Sequence, residues 1–245
     1  FQKDAPGFAP DWVRRVNIYS RDSQRDIRYI VIDEVETLLY VVNLAAIPLH
    51  LWSSRIGSLE SPDWLVLDLD PKEAPFGDVV KVARLLHGIL SEIGVESFIK
   101  TSGASGLHIL LPLGRRYTHE QAKDFARLLA TLAADSAPEI ATVARPVAER
   151  GGRVYIDFGQ NGQGVTIAAP FTVRPLPGAP VSCPLRWREV NSRLSPSRFT
   201  IKTVLARFAR GGDPMAPVLK KQLDIGAALA QIEKKFSSLL GKGTG

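Results

Sequence analysis

The 245-residue sequence predicts an α+β fold built around a ferredoxin-like, split βαβ sheet. Three observations carry that reading. The stretch DWLVLDLDP, residues 63–71, alternates leucines with two aspartates at the period of a strand. Two longer stretches with apolar residues at helical spacing come after it, one opening near Asp78 and one behind a capping box of Thr118 and Gln121. Short β-rich runs lie between and after them, so the order reads strand, helix, strand, strand, helix, strand. The sheet is expected to be antiparallel, with two helices on one face and the other face open for function.

Taken in order, FQKDAPGFAPDWV reads as the end of a strand entering a Pro/Gly-rich turn. No cap precedes Phe1, so the chain is expected to begin inside an element, as a fragment. IRYIVID is a strand, and EVETLLYVVNLAAI a helix with Leu38, Val41, Val42 and Ala45 on one face, stopped by Pro48. Asp78 caps a helix whose apolar face is Val79, Val82, Leu86, Ile89 and Ile93, ended by Gly94. ESFIKT and LHILLPL are strands joined by the SGASG turn, and the Thr118 helix runs to about Ala134. PEIATVARPVAERGG leads to the strand RVYIDF, and VTIAAPFTVR continues as strand. Residues 175–184 are Pro-rich and expected to lie extended over the surface, and AALAQIEKKFSSLL is a last amphipathic helix before a loose GKGTG tail. The organisation is therefore an N-terminal part over 1–62, a catalytic core over 63–175 and a basic C-terminal extension over 176–245.

Composition bounds the function. Hydrophobic residues make up 45% and charged residues 23%, as in a globular protein, and no run reaches the length of a membrane span. A single cysteine, Cys183, excludes an internal disulfide and fits the cytoplasm, where it reads as a small buried hydrophobe. Lys plus Arg number 31 against 25 Asp plus Glu, a net charge of +6 compatible with a polyanionic partner. The basic residues thicken late, at Arg186, Arg188, Arg193, Arg198, Lys202, Arg207 and Arg210, where a solvated face is at least an equal alternative.

The chemistry begins with the two aspartates. Positions two apart on a strand share a face, so Asp68 and Asp70 stand side by side with Val66, while Leu65, Leu67 and Leu69 face the helices. Like charges that close call for a cation. In RVYIDF the same alternation sends Tyr155 and Asp157 one way and Val154 and Ile156 the other. The first and last strands of the unit are expected two apart, with the third between them, so that Asp157 converges on the pair. Three carboxylates on one face suit hard cations such as Mg²⁺ or Mn²⁺, and a two-metal site serves phosphoryl transfer. In TSGASGLH, residues 101–108, glycines let backbone N–H groups approach an anion, Ser102 adds a hydroxyl and His108 a donor.

The series DLDP, TSGASGLH and VYIDF followed by QN resembles the polymerase domain of bacterial ATP-dependent DNA ligase D, of the archaeo-eukaryotic primase superfamily. The likeness runs from FQKDAP through LHLWSSR to RPLPGAPVSCPLRW and the terminal helix. It implies a primase-polymerase fold, extension of DNA ends with nucleotides, often ribonucleotides, and end joining with Ku and a ligase domain. It implies Asp68, Asp70 and Asp157 as catalytic ligands of two Mn²⁺ or Mg²⁺ ions. It implies that Ser102, His108 and Arg174 hold the nucleoside triphosphate, and that His50 lies near its sugar. Gln160 matches a further nucleotide-binding position and Arg150 a DNA-binding one, and Phe1 an aromatic that stacks on the template. The substrate would be DNA with a gap or a double-strand end, in a bacterial cytoplasm at the nucleoid, with no membrane involved.

The chain also departs from the family pattern. Ser105, Val165 and Leu176 stand where relatives commonly carry basic residues, so the triphosphate grip is expected to be weaker or supplied by other groups. The N-terminal lysines that grasp a 5′-phosphate in the family are expected to be missing. A primase using the same core is the close alternative. A phosphatase with an aspartate nucleophile would want a hydroxyl residue two places after Asp70, where Lys72 stands. A non-catalytic nucleic-acid platform would stack bases on aromatics of the sheet, where this chain puts carboxylates that repel a phosphate chain.

Overall fold

The computed structural model describes residues 3–20 and 23–240, the last four by backbone alone. Two compact units divide it, Phe1–Ile47 and Pro48–Gly245.

In the first unit β1 (Arg15–Ser20) pairs antiparallel with β2 (Arg25–Ile30) in full register. The sequence reading includes β2 and omits β1, although Val16 and Ile18 of RVNIYS alternate with the exposed Asn17 and Tyr19. The opening Pro/Gly-rich stretch forms turns, with Ala5 N–H bonded to Arg28 O at 2.7 Å. Helix α1 (Val35–Asn43) ends before the expected stop at Pro48, because Ala45 takes φ +59° and turns the chain. Of its predicted face, Val41 is buried whereas Leu38 and Val42 are exposed.

The second unit holds β3 (His50–Trp52), β4 (Trp64–Asp70), α2 (Phe76–Glu92), β5 (Phe98–Thr101), β6 (Leu107–Pro112) and α3 (His119–Ser136). They are followed by β7 (Ala141–Thr142), α4 (Val147–Arg150), β8 (Val154–Asp157), β9 (Thr166–Ala168), β10 (Pro184–Leu185), α5 (Val204–Gly211) and α6 (Ile225–Leu240). The main sheet has the order β10-β5-β6-β4-β8-β7. Its four central strands and the helices α2 and α3 are the split βαβ unit. The sheet is mixed, since β7 runs parallel to β8. One expectation is corrected here. The first and last strands of the unit are direct neighbours: β4 pairs with β6 on one side and β8 on the other, placing Asp68 opposite Asp157.

The alternation along β4 explains the packing. Leu65, Leu67 and Leu69 are fully buried with Val79, Leu86, Phe125 and Leu129 of α2 and α3, and with Ala228 and Ile232 of α6. Burying each leucine contributes roughly 1.5–3 kcal/mol. The Thr118–Gln121 capping box is present, satisfying two N-terminal groups of α3 reciprocally. Asp78 does not cap α2. The helix opens one turn earlier behind Pro75, and Asp78 lies in its first turn, bonded to Lys81 at 2.8 Å. The opposite face of the sheet is covered at one end, where Val66, Phe98 and Leu110 pack with Ile167, Met215 and Val218. The remaining part, towards Asp68 and Asp70, holds the polar groups.

VTIAAPFTVR is strand only over β9, which pairs with β3 as a separate ribbon. The 175–184 segment is only half a surface strap. Val181, Ser182, Cys183 and Pro184 are buried, because Cys183 exchanges hydrogen bonds with Thr101 and β10 closes the edge of β5. Among the described residues no helix is long and apolar enough to cross a membrane.

Candidate active site

Sheet register assembles the site. Lys100 on β5 lies opposite His108 on β6, His108 opposite Asp68 on β4, and Asp68 opposite Asp157 on β8. Directly opposed side chains lie about 4.5–5.5 Å apart, so these four form one row across the polar face. His108 Nε2 is 3.4 Å from Asp68 Oδ1, and Lys100 Nζ is 2.7 Å from His108 Nδ1 and 2.6 Å from Ser182 Oγ.

Burial and neighbours set the charges. Asp68 is pushed up to about 7, by burial first and then by Asp157, against the pull of Lys100. Lys100, completely buried, is pushed down to about 7 by desolvation, with Asp68 working the other way. His108 is held well below the usual histidine value by burial, then by Lys100, Arg174 and His50. A neutral imidazole with the lysine ammonium donating to Nδ1 carries its proton on Nε2, the nitrogen facing Asp68. His50, on β3, is lowered by burial and by Arg174 and Lys100.

The other sequence-predicted residues surround this row. Asp70 Oδ2 accepts from Arg150 Nη1 at 2.9 Å, and Arg150 stacks over Tyr155 at 4.2 Å. Asp157 accepts from the Gly159 N–H at 2.7 Å, Gln160 Nε2 at 2.9 Å and Tyr155 OH at 3.2 Å. The Tyr155 hydroxyl is pushed up to about 12 by burial and by Asp157, so it stays a donor. Ser102 Oγ accepts the backbone N–H groups of Ala104 and Gly106, closing the turn, and its own hydrogen has no acceptor among the described residues. Arg174 Nη1 reaches Ser102 O at 3.3 Å, while its Nε is buried without a partner among the described residues. An orphaned buried donor of that kind is what an incoming anion would satisfy. Phe1 lies outside the described residues.

Two glycines make the turn possible. Gly103 has φ +79°, and a Cβ there would meet Arg174 Cγ at 2.7 Å. A Cβ on Gly106 would lie 2.2 Å from the Leu69 carbonyl oxygen, so only glycine lets the turn close on β4. Ser105 stands exposed at the tip, and Leu176 is 45% exposed.

Asp68 and Asp157 fit a hard divalent cation. They are opposed carboxylates on a polar face, with like-charge repulsion that a cation would relieve. Among the described residues no three His, Cys, Asp or Glu side chains form a ready metal cage, because Asp70 is turned onto Arg150. The third carboxylate would have to exchange that guanidinium for a cation.

Sequence reasoning missed three residues. Lys100 carried a signal, a lysine inside the apolar run ESFIKT, where full burial of a lysine is rare. Ser182 carried none, since its part depends on the 175–184 segment folding onto β5. Asn161 clamps β4 from the turn after β8, its side chain accepting from Val66 N at 2.7 Å and donating to Val66 O at 2.8 Å. The QN dipeptide marked its position without its role.

The family model described as the LigD primase-polymerase domain matches residues 1–215. The bifunctional non-homologous end joining protein LigD of Bacillus subtilis is 33% identical over 239 residues, covering 96% of this chain and 38% of that protein. The multifunctional non-homologous end joining protein LigD of Pseudomonas aeruginosa is 32% identical over 201 residues, 81% of this chain and 24% of that protein. The chain thus spans well under half the length of these relatives. The solved polymerase domain of Mycobacterium tuberculosis ligase D in complex with DNA is similar with a TM-score of 0.81 and 28% identity, over 91% of this chain and 79% of that one. Sequence and fold agree: this chain belongs to the LigD primase-polymerase domain family.

Proposed function

We propose that this chain extends DNA ends, adding nucleotides, with ribonucleotides included, to a primer 3′-hydroxyl. The observation that carries the reading is the row Lys100–His108–Asp68–Asp157, carboxylates at one end and anion donors at the other. The primer 3′-hydroxyl oxygen bonds to the α-phosphorus as its proton passes to solvent, the bond from that phosphorus to the bridging oxygen breaks, and pyrophosphate leaves. Two Mg²⁺ or Mn²⁺ ions, when bound, supply activation of the attacking hydroxyl and charge neutralisation of the leaving group.

The chain's own residues position the reactants. Asp68 and Asp157, joined by Asp70, would hold the ions. Ser102, His108 and Arg174 donate to the triphosphate, His50 lies towards the sugar, and Gln160 holds Asp157 in place. Arg150 keeps Asp70 oriented until the ions arrive and lies beside the template, as Phe1 would. The substrate is gapped or broken DNA, and Ku and an ATP-dependent ligase domain are the partners that this reading implies. The organisation that fits is an N-terminal part over 1–62, the catalytic core over 63–175 and a C-terminal extension over 176–245.

The test is primer extension on a gapped duplex with a 5′-phosphate, comparing ribo- and deoxynucleotides in Mn²⁺ and Mg²⁺. Extension that falls at least about 10³-fold in Asp68→Ala is expected. Extension at the wild-type rate in that variant would sink the ligand assignment. Synthesis on a template without any primer would assign the chain to the priming branch of the same chemistry.

A further inference from the structure

The arginines that thicken late in the sequence are gathered around one cavity of about 900 Å³, lined by Arg186, Arg188, Arg193, Arg198, Arg207 and Arg210. Among the described residues Glu189 is the only acidic one in the lining. These residues account for five of the chain's six net positive charges, leaving 25 basic against 24 acidic side chains everywhere else. The cavity lining thus carries a net excess of five positive charges.

The glutamate is already used. It takes a bidentate pair from Arg207 at 2.6 Å for each bond and accepts the Arg186 N–H at 2.7 Å. Arg186 Nη2 and Arg210 Nε are tied to the carbonyls of Gly211 and Ala206. Arg188, Arg193 and Arg198 are exposed, and among the described residues none has a carboxylate within ion-pair distance or a side-chain hydrogen bond. Three unpaired guanidiniums sharing a cavity repel one another, a cost that an arriving polyanion removes. The wall that carries them is fixed: Trp187 stacks on His87 at 3.9 Å and donates to Ser97 O, and Arg84 donates to Val190 O at 3.1 Å.

We propose that this cavity grips the phosphate backbone of the DNA away from the reacting end, an inference that rests on the DNA-extending function proposed above. Guanidinium forks match phosphate geometry, and three exposed ones spread along residues 188–198 suit a run of phosphates better than one. The segment follows β10, which lies three strands from β4, about 14 Å away at the usual strand spacing. Its task is holding the duplex and it takes no part in the chemistry.

The experiment uses the full chain and labelled primer–template duplexes of 12 and 30 base pairs, with binding measured across a series of KCl concentrations without nucleotide. One variant combines Arg188→Ala, Arg193→Ala and Arg198→Ala. A charge-matched control combines Lys81→Ala, Lys123→Ala and Arg127→Ala on α2 and α3, and thermal melting verifies the fold of both. On the 30-base-pair duplex the arginine variant should bind at least about tenfold more weakly, with a salt slope shallower by about 2–3, while the control stays near wild type. Equal slopes for wild type and the arginine variant on both duplexes would overturn the proposal. So would equal losses in both triple variants. A wild-type chain that extends primers but shows no effect of the arginine variant loses the cavity alone. A wild-type chain that binds no duplex removes the DNA-extending function and the occupant together.

Discussion

The two faces of one strand show how this protein separates stability from chemistry. Along β4, Leu65, Leu67 and Leu69 lie in an apolar core under three helices, while Asp68 and Asp70 stand on the other side of the same backbone. The leucine face is stabilised by burial that no other group contests. The aspartate face stores cost: Asp68 is raised and Lys100 lowered to about 7 by the same loss of water. A site of this kind is unfavourable until its ligands arrive, and the leucines beneath it keep it assembled.

Breaking the apolar face should have the largest effect on stability. Leu67→Ala removes a fully buried side chain, and a loss of roughly 3 kcal/mol, or a melting temperature lower by about 6–12 °C, is expected. Primer extension per folded molecule at low temperature should be unchanged. A variant that melts like wild type would show that the core can refill the gap.

Breaking the polar face should do the reverse. Lys100→Met keeps the side-chain length and removes the donor to His108 and Ser182. We expect kcat/KM for the nucleotide to fall about 10²-fold, roughly 2.7 kcal/mol, carried mainly by KM, with a melting shift of only a few degrees. An unchanged KM would mean that Lys100 does not orient His108.

The smallest effect sharpens the contrast. In the presence of a chelator, Asp68→Asn should stabilise the fold. The folded-state value near 7 lies above the ordinary 3.8, so the folded chain holds a proton that the unfolded chain has released, and this group's contribution is lost as pH rises between them. The variant should therefore match wild type near pH 4 and gain progressively to about pH 7. Its side chain keeps 24% exposure, which limits the gain to roughly 2 kcal/mol, about 5 °C. Parallel stability curves across that range would show that Asp68 ionises without penalty.

What could be read beforehand follows from local physics. The period of two along DWLVLDLDP divided leucines from aspartates correctly, and the capping box located α3. Helical spacing found the buried face of α2, from Val79 to Ile93. The same reasoning placed Asp157 beyond an intervening strand, whereas it lies directly opposite Asp68, because strand order depends on how α2 and α3 cross the sheet. It also read residues 175–184 as a surface strap, yet Ser182 and Cys183 are drawn inward by the unpaired edge of β5.

Lys100 marks the boundary between the two kinds of information. Its strand was legible, since a run of apolar and β-branched residues prefers extended backbone whatever surrounds it. Its partners were not, because Ser182 is 82 positions away and His108 meets it only through the pairing of β5 with β6. Side-chain alternation is set by the residues of one segment and survives in the amino-acid order. Convergence is set by the packing of separate segments around a shared core, and the charges of the site, the orientation of its histidine and the gathering of the late arginines all belong to that second kind.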